Sequence, residues 1–405
     1  NMNNIRKLTD SLFWVGVNDR RIALFENVYP VPTGMSYNSY VLLDEKTALF
    51  DTVDASFTHD FLENVTAALK GRTLDYLIVN HMEPDHCASI ADVIAAYPEA
   101  KIVCTAKAVG MMKQFFDFDV DSRAIPVKEG DTISLGSHEL TFVMAPMVHW
   151  PEVMVTYEKT EKILFSADAF GSFGAIDGNI FADEIDDKGA WLSEARRYYT
   201  NIVGKFGMSV QGLLKKAAGL EIRMICPLHS VIWREDLPWL IDKYLKWSSY
   251  TPEEKSVTIA YGSVYGHTEK AADILAGKLA DRGIRHISVF DVSKTHPSYI
   301  IADAFRTSAM VFASITYNGG IFCNMDTLLH QLAAHGLTNR TAALIQNGTW
   351  AATTSKQMGE ILGTMKNIHV LEADVTIKSA LKDNQDAELD ALADWKYCST
   401  RRSSP

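Results

Sequence analysis

The sequence predicts a two-domain α/β protein, short strands interleaved with helices followed by a doubly wound parallel sheet. Three observations carry this. The 405 residues exceed one ordinary domain. The polar, proline-containing stretch SSYTPEEKS, Ser248–Ser256, marks a boundary that places one domain at residues 2–250 and the other at 251–405. The texture of strands and helices also changes across it.

Before the boundary, β-branched and aromatic runs bounded by turn residues predict strands at Leu12–Val17, Ser39–Leu43, Thr47–Asp51, Tyr76–Asn80, Lys101–Thr105, Leu140–Ala145, Val153–Tyr157 and Ile163–Ala167. Amphipathic spacing predicts helices at Phe57–Lys70, Ala88–Ala96 and Gly189–Val203, and a helix Asp236–Trp247 closes the domain. After the boundary, strands Val257–Tyr261, Ile287–Asp291, Met310–Ser314 and Ala342–Gln346 alternate with helices His267–Asp281, Met325–Ala334 and Thr353–Met365. Gly and Ser stand at the strand-to-helix turns, as in a parallel sheet with helices on both faces.

Composition excludes several classes. With 47% hydrophobic and 22% charged residues, the chain is neither collagen, coiled coil nor disordered. The balance of 39 Lys+Arg against 50 Asp+Glu gives −11, without a basic cluster, which argues against nucleic acid or an anionic membrane as partner. No apolar run nears the ~20 residues of a membrane span, and the N-terminus lacks a signal-peptide pattern, so a cytoplasmic location is expected. The cysteines, Cys87, Cys104, Cys226, Cys323 and Cys398, never form a C-x-x-C pair. The chain therefore has no small iron or zinc module of that type.

Four candidate ligands fall in His81-Met82-Glu83-Pro84-Asp85-His86, directly after the strand Tyr76–Asn80. Imidazole with carboxylate suits iron, zinc or manganese, and a strand end can turn alternate side chains inward. His149 in APMVHWPE, Asp168 in LFSADAF and His229 in ICPLHSVIW lie at the ends of other expected strands, where a strand-framed site would draw its remaining ligands.

The order His-x-Glu-x-Asp-His, then His, Asp and His, resembles the metallo-β-lactamase fold, an αββα sandwich with two metals at its edge and a bridging aspartate. Zinc hydrolases of that superfamily usually carry His at the position of Glu83. A carboxylate there adds charge and hard oxygen donation, which favours iron. This glutamate marks the flavodiiron proteins, or A-type flavoproteins, which the chain resembles along essentially its whole length, NIVGKFG and CPLHSVIWR included. The resemblance implies His81, Glu83 and His149 on one iron, Asp85, His86 and His229 on the other, and Asp168 between them. It also implies a tyrosine near the open face of the irons. Tyr198 and Tyr199 in ARRYYTNI are the candidates, with Tyr198 taken as catalytic. Some members carry a histidine in the early loop that here reads FENVYPVPTG and has none.

Strand Val257–Tyr261 runs into a loop of small and hydroxylated residues, with Ser263, Val264, Tyr265, Gly266, His267 and Thr268 as candidate contacts. Backbone N–H groups and hydroxyls converging at a helix N-terminus suit a mononucleotide phosphate, and the Gly-Lys-Ser/Thr ending of a nucleotide triphosphate loop is missing. The loop resembles the phosphate loop of flavodoxin, which binds FMN. Two more strand ends add Thr316, Tyr317, Asn318, Gly319 and Gly320, and Asn347, Gly348, Thr349 and Trp350, offering backbone groups and aromatic rings to a planar isoalloxazine.

Reduced flavin and a diferrous pair together hold the four electrons that take dioxygen to water, and the same pair can couple nitric oxide to nitrous oxide. The expected function is a terminal oxygen and/or nitric oxide reductase. The family implies a head-to-tail homodimer or dimer of dimers, and an external donor such as rubredoxin. Two other readings compete: a zinc hydrolase with a flavodoxin-like accessory domain, and a non-catalytic electron-transfer protein.

Overall fold

The computed structural model describes residues 2–372 and 374–399. Residues 400–405 of the expected second domain lie outside the described residues. The chain divides into two compact units, Asn1–Tyr199 with Met208–Leu245, and Thr200–Gly207 with Lys246–Pro405.

In the first unit, one sheet runs Arg6–Lys7, Leu12–Trp14, Tyr40–Leu43, Thr47–Phe50, Tyr76–Ile78, Lys101–Thr105, Ala124–Val127, and a second runs Thr132–Ser134, Glu139–Met144, Met154–Glu158, Ile163–Phe165, Met224–Cys226. Alternate side chains of both sheets meet in one apolar core, Trp14, Phe50, Ile78 and Val103 from the first against Leu140, Phe142, Met154 and Phe165 from the second. Phe50 stacks on Phe165 at 3.8 Å between ring centroids. Helices Thr58–Leu69 and Ala106–Phe115 pack on the first sheet, and helix Gly207–Ala217 reaches the second, where Lys216 Nζ donates to the Met144 carbonyl oxygen at 2.8 Å, as in the layers of an αββα sandwich.

Two expected elements differ in form. Leu12–Val17 is two strands, Leu12–Trp14 and Val17–Asp19, the second paired with Met35–Tyr37. The break is at Gly16, where a Cβ would stand 2.2 Å from the Tyr37 carbonyl oxygen. The expected helix Gly189–Val203 is α-helical over Lys188–Tyr198 and continues as a π-helix over Tyr199–Val203. The short strands Ala124–Val127, Thr132–Ser134 and Met224–Cys226 were not expected. They have little pattern of their own and take their form from neighbouring strands.

In the second unit, parallel strands lie in the order Ser288–Asp291, Glu254–Gly262, Thr307–Tyr317, Arg340–Asn347, Ile368–Val370. By chain position this is 2-1-3-4-5, the flavodoxin-like winding. Val257 and Ile259 face a core with Leu275 and Leu389, while Ala260, Met310 and Phe312 face another with Ile300, Leu328 and Met358. Helices therefore cover both faces, and the strands are apolar on both sides. No helix among the described residues is long and apolar enough to cross a membrane.

Candidate active site

Local geometry brings the metal candidates together. After strand Tyr76–Ile78, Asp51 Oδ1 accepts the backbone N–H of Asn80 at 2.8 Å and of His81 at 3.2 Å, which turns the chain at the strand end. Glu83 stands at the N-cap of the one-turn helix Pro84–Cys87, which carries Asp85 and His86. Asp168 and His229 follow the paired parallel strands Ile163–Phe165 and Met224–Cys226 and so emerge side by side.

The buried side chains converge in two groups, His81, Glu83, His149 and Asp168, and Asp85, His86 and His229. Asp168 serves both. Its Oδ2 lies 3.1 Å from Nε2 of His81 and 3.1 Å from Nε2 of His149, and its Oδ1 lies 3.3 and 3.6 Å from Nε2 of His86 and His229. Glu83 Oε2 completes the first group at 3.2 Å from His81 and 2.9 Å from His149. Asp85 Oδ2 completes the second at 3.1 Å from His86 and 3.2 Å from His229.

The donor set fits metal ions. Both carboxylate oxygens of Asp85 and of Asp168 are buried without a hydrogen-bond partner, an arrangement that is costly unless a cation satisfies it. His81 Nδ1 lies 2.7 Å from Glu152 Oε1 and His229 Nδ1 lies 2.7 Å from the Ser36 carbonyl oxygen, which leaves each Nε2 aimed at the centre. In the metal-free protein, burial opposes charge on His81, yet Asp168, Glu152 and Glu83 hold its imidazole well above the ordinary range. Against the same burial, carboxylates raise His149 to about 9 and His86 to about 10. Asp168, although buried, is held well below the usual carboxylate range by these rings.

The structure separates the two tyrosines. Tyr198 is buried with its ring 5.4 Å from that of His229 and its hydroxyl without a hydrogen-bond partner, whereas Tyr199 packs on Tyr244 at 5.0 Å. Successive helical residues point about 100° apart, so only one of the pair can face the site.

Sequence reasoning missed Glu152, Asp51, Ser36 and Glu26. Glu152 lies three residues beyond His149, and Asp51 ends an expected strand, which were usable signals. Glu26 gave none. It sits at the tip of the hairpin joining Leu24–Phe25 to Tyr29–Pro30, with φ 53. Although the residue as a whole is exposed, its carboxyl lies against Glu83, and desolvation together with that neighbouring carboxylate raises it to about 9. The early loop without a histidine thus places an acid there instead.

In the second unit, the three strand-end loops meet around a cavity of about 620 Å³. Ser263, Val264, Tyr265, His267, Thr268, Thr316, Tyr317, Asn318, Gly319, Asn347, Gly348, Thr349 and Trp350 line it, together with Ile315, Ala351, Thr353 and Ser379, which the sequence did not single out. Gly266 and Gly320 do not line it. Gly266 instead starts the helix His267–Asp281 at φ 93 and donates its N–H to Ser263 Oγ at 3.1 Å, and Gly320 begins a short return strand. Asn347 Nδ2 donates to Thr268 Oγ1 at 3.3 Å, linking the first and third loops.

Comparison with known proteins agrees with this fold. A family model described as ODP family beta lactamase matches residues 35–230. The anaerobic nitric oxide reductase flavorubredoxin of Escherichia coli is 30% identical over 388 residues, covering 93% of this chain and 78% of its own. That of Aeromonas hydrophila is 30% identical over 347 residues, covering 84% and 69%. Among solved structures, rubredoxin oxygen:oxidoreductase from the anaerobe Desulfovibrio gigas superposes with TM-score 0.91 at 27% identity, covering 98% and 99% of the two chains. The flavodiiron protein from Giardia intestinalis superposes with TM-score 0.92 at 25% identity over 100% of both. A relative of this identity and coverage, with a metallo-β-lactamase-like unit followed by a flavodoxin-like one, shows that the chain belongs to the flavodiiron protein family and is an oxidoreductase.

Proposed function

We propose that the chain is a cytoplasmic terminal reductase that takes dioxygen to water and/or nitric oxide to nitrous oxide. In this reading residues 2–250 form the diiron domain and 251–405 the FMN-binding domain. His81, Glu83 and His149 would hold one iron, Asp85, His86 and His229 the other, and Asp168 would bridge. The observation that carries it is Asp168, whose oxygens face the two histidine sets separately. Iron would supply redox-active Lewis acidity and FMN a two-electron store.

The chain's own residues supply the rest. Glu152 and Ser36 fix the orientation of His81 and His229. Phe25, 5.5 Å from His229, and Phe173, 5.2 Å from Tyr198, form an apolar wall that excludes water on that side. Protons are held at the Glu26 carboxyl beside Glu83 and at the buried Tyr198 hydroxyl, groups placed to serve a reduced diatomic substrate. Ser263, Thr268 and the N-terminus of helix His267–Asp281 would hold the FMN phosphate, and Tyr317 and Trp350 its ring system. The family resemblance supports a head-to-tail homodimer, or a dimer of dimers, in which the flavin of one protomer serves the irons of its partner. Rubredoxin or a similar small protein would be the donor.

The test is anaerobic turnover of iron-loaded, FMN-replete protein with reduced rubredoxin, with oxygen and nitric oxide consumption measured side by side. Consumption of either gas, lost in Asp168→Ala while FMN is retained, supports the reading. Two zinc ions per chain with lactam or thioester hydrolysis, and no gas consumed, would overturn it.

A further inference from the structure

We propose that Trp191, Trp233 and Trp239 form a relay that carries electrons inward from solvent to the surroundings of His229 when oxidising equivalents are stranded at the metal centre. This rests on the oxygen-reducing reading above.

The indoles touch in series. Trp191, on helix Lys188–Tyr198, has its ring 4.9 Å from that of Trp233, which in turn lies 5.8 Å from Trp239 on helix Leu237–Ser248. At the inner end, Trp191 Nε1 donates to Ser230 Oγ at 3.1 Å, and Ser230 directly follows His229. Ser36 ties the same two residues together, accepting the Ser230 N–H on Oγ at 2.6 Å and His229 Nδ1–H on its carbonyl at 2.7 Å. At the outer end Trp239 is partly exposed, and Trp191 at the other end is partly exposed as well. Trp233 in the middle is buried, and its indole N–H has no hydrogen-bond partner. For packing alone, a phenylalanine would fill such a place without stranding a buried donor. An indole is retained there although its polar atom is unsatisfied.

The unpaired N–H also suits transfer. Trp191 gives one electron to the oxidised centre and is refilled from Trp233, which is refilled from Trp239. With no proton acceptor, the Trp233 radical cation cannot relax to a neutral radical, so it passes its charge outward. Trp239 loses its indole proton to water, and an external thiol returns the electron and the proton, closing the balance. Lys188 and Lys243 lie 5.8 and 5.4 Å from the Trp239 ring and oppose positive charge on it. Asp236 pairs with Lys188 and offsets part of that field, and proton loss to solvent drives the final step. Without the relay, oxidation would fall on groups that touch the candidate ligands, Tyr198 against His229 and Trp150 against His81 and His149.

The test treats ferrous-loaded protein with hydrogen peroxide and locates oxidised side chains by peptide mapping, beside a metal-free control. Metal-dependent oxidation is expected foremost at Trp239. In Trp233→Phe it should move to Trp191, Tyr198 and His229, and the number of oxygen turnovers before inactivation should fall several-fold at an unchanged initial rate. Trp239→Phe, at a partly exposed position, should collect oxidation at Trp233 and guards against a folding defect in the first variant. An identical pattern in wild type and both variants, or equal Trp239 oxidation without metal, would overturn the relay. Failure of the reductase reading appears separately, as no gas consumption, because the peroxide experiment does not depend on it.

Discussion

Glu152 Oε1 lies 2.7 Å from His81 Nδ1 and also accepts the backbone N–H of Met82 at 2.7 Å, with both the carboxylate and the imidazole fully buried. One side chain thereby sets the tautomer of a candidate ligand ring and the path of the strand end that carries it. Glu152→Ala should weaken iron binding roughly 10- to 100-fold, the range for loss of a partner behind a ligand. Chelator competition measures this directly, and an unchanged affinity would remove Glu152 from the site's support.

Metal uptake should release protons. His149 at about 9 and His86 at about 10 are charged at neutral pH in the metal-free protein, and each must lose its proton to offer Nε2 to a cation. Affinity therefore falls as pH falls. Titration calorimetry in buffers of different ionisation enthalpy should give a heat that varies with the buffer. A buffer-independent heat would mean the rings are already neutral.

Another histidine couples the two sheets away from the candidate metal site. His138 Nδ1 lies 2.7 Å from Asp44 Oδ2 and its Nε2 lies 3.0 Å from Glu161 Oε2. Asp44 follows strand Tyr40–Leu43 of the first sheet, and His138 and Glu161 precede strands Glu139–Met144 and Ile163–Phe165 of the second. Burial opposes its charge, but Asp44, Glu158 and Glu161 raise the His138 pKa, while Asp44, against its own desolvation, is held below the usual carboxylate range by the His138 side chain and by backbone N–H groups. A raised histidine stabilises fully below its unfolded value of about 6.5 and loses that contribution as pH rises through the folded value. A depressed aspartate stabilises above about 3.9 and loses its contribution as pH falls. The urea midpoint of wild type should exceed that of His138→Gln by most between about pH 4 and 6.5, with the gap narrowing above. A gap independent of pH would show that the ring is not an imidazolium.

Gly348 in the third strand-end loop has no room for a side chain, since a Cβ would stand 2.3 Å from the Ala351 carbonyl oxygen. Gly348→Ala should displace the loop at a cost of about 1–3 kcal/mol. FMN affinity should fall at least several-fold while metal content stays unchanged. Fluorescence quenching on FMN titration reads the first and elemental analysis the second. Full FMN affinity in this variant would exclude the loop from the binding site.

The sequence by itself determined the donor types and much of the frame. His81 to His86 are crowded within one turn, His149, Asp168 and His229 follow recognisable apolar strands, and the three candidate flavin loops follow strands with an evident α/β rhythm. These are local patterns, set by side-chain alternation and turn chemistry over a few residues. Only tertiary structure decided which oxygen of Asp168 faces which ring, that Tyr198 rather than Tyr199 lies beside His229, and that Glu26, Glu152 and Ser36 surround the candidate ligands. It also decided that Trp191, Trp233 and Trp239 touch. Contacts such as Glu152 to His81, 71 positions apart in the chain, depend on how two sheets and their loops pack. That packing is fixed by burial summed over the whole core, and no short window of sequence contains it.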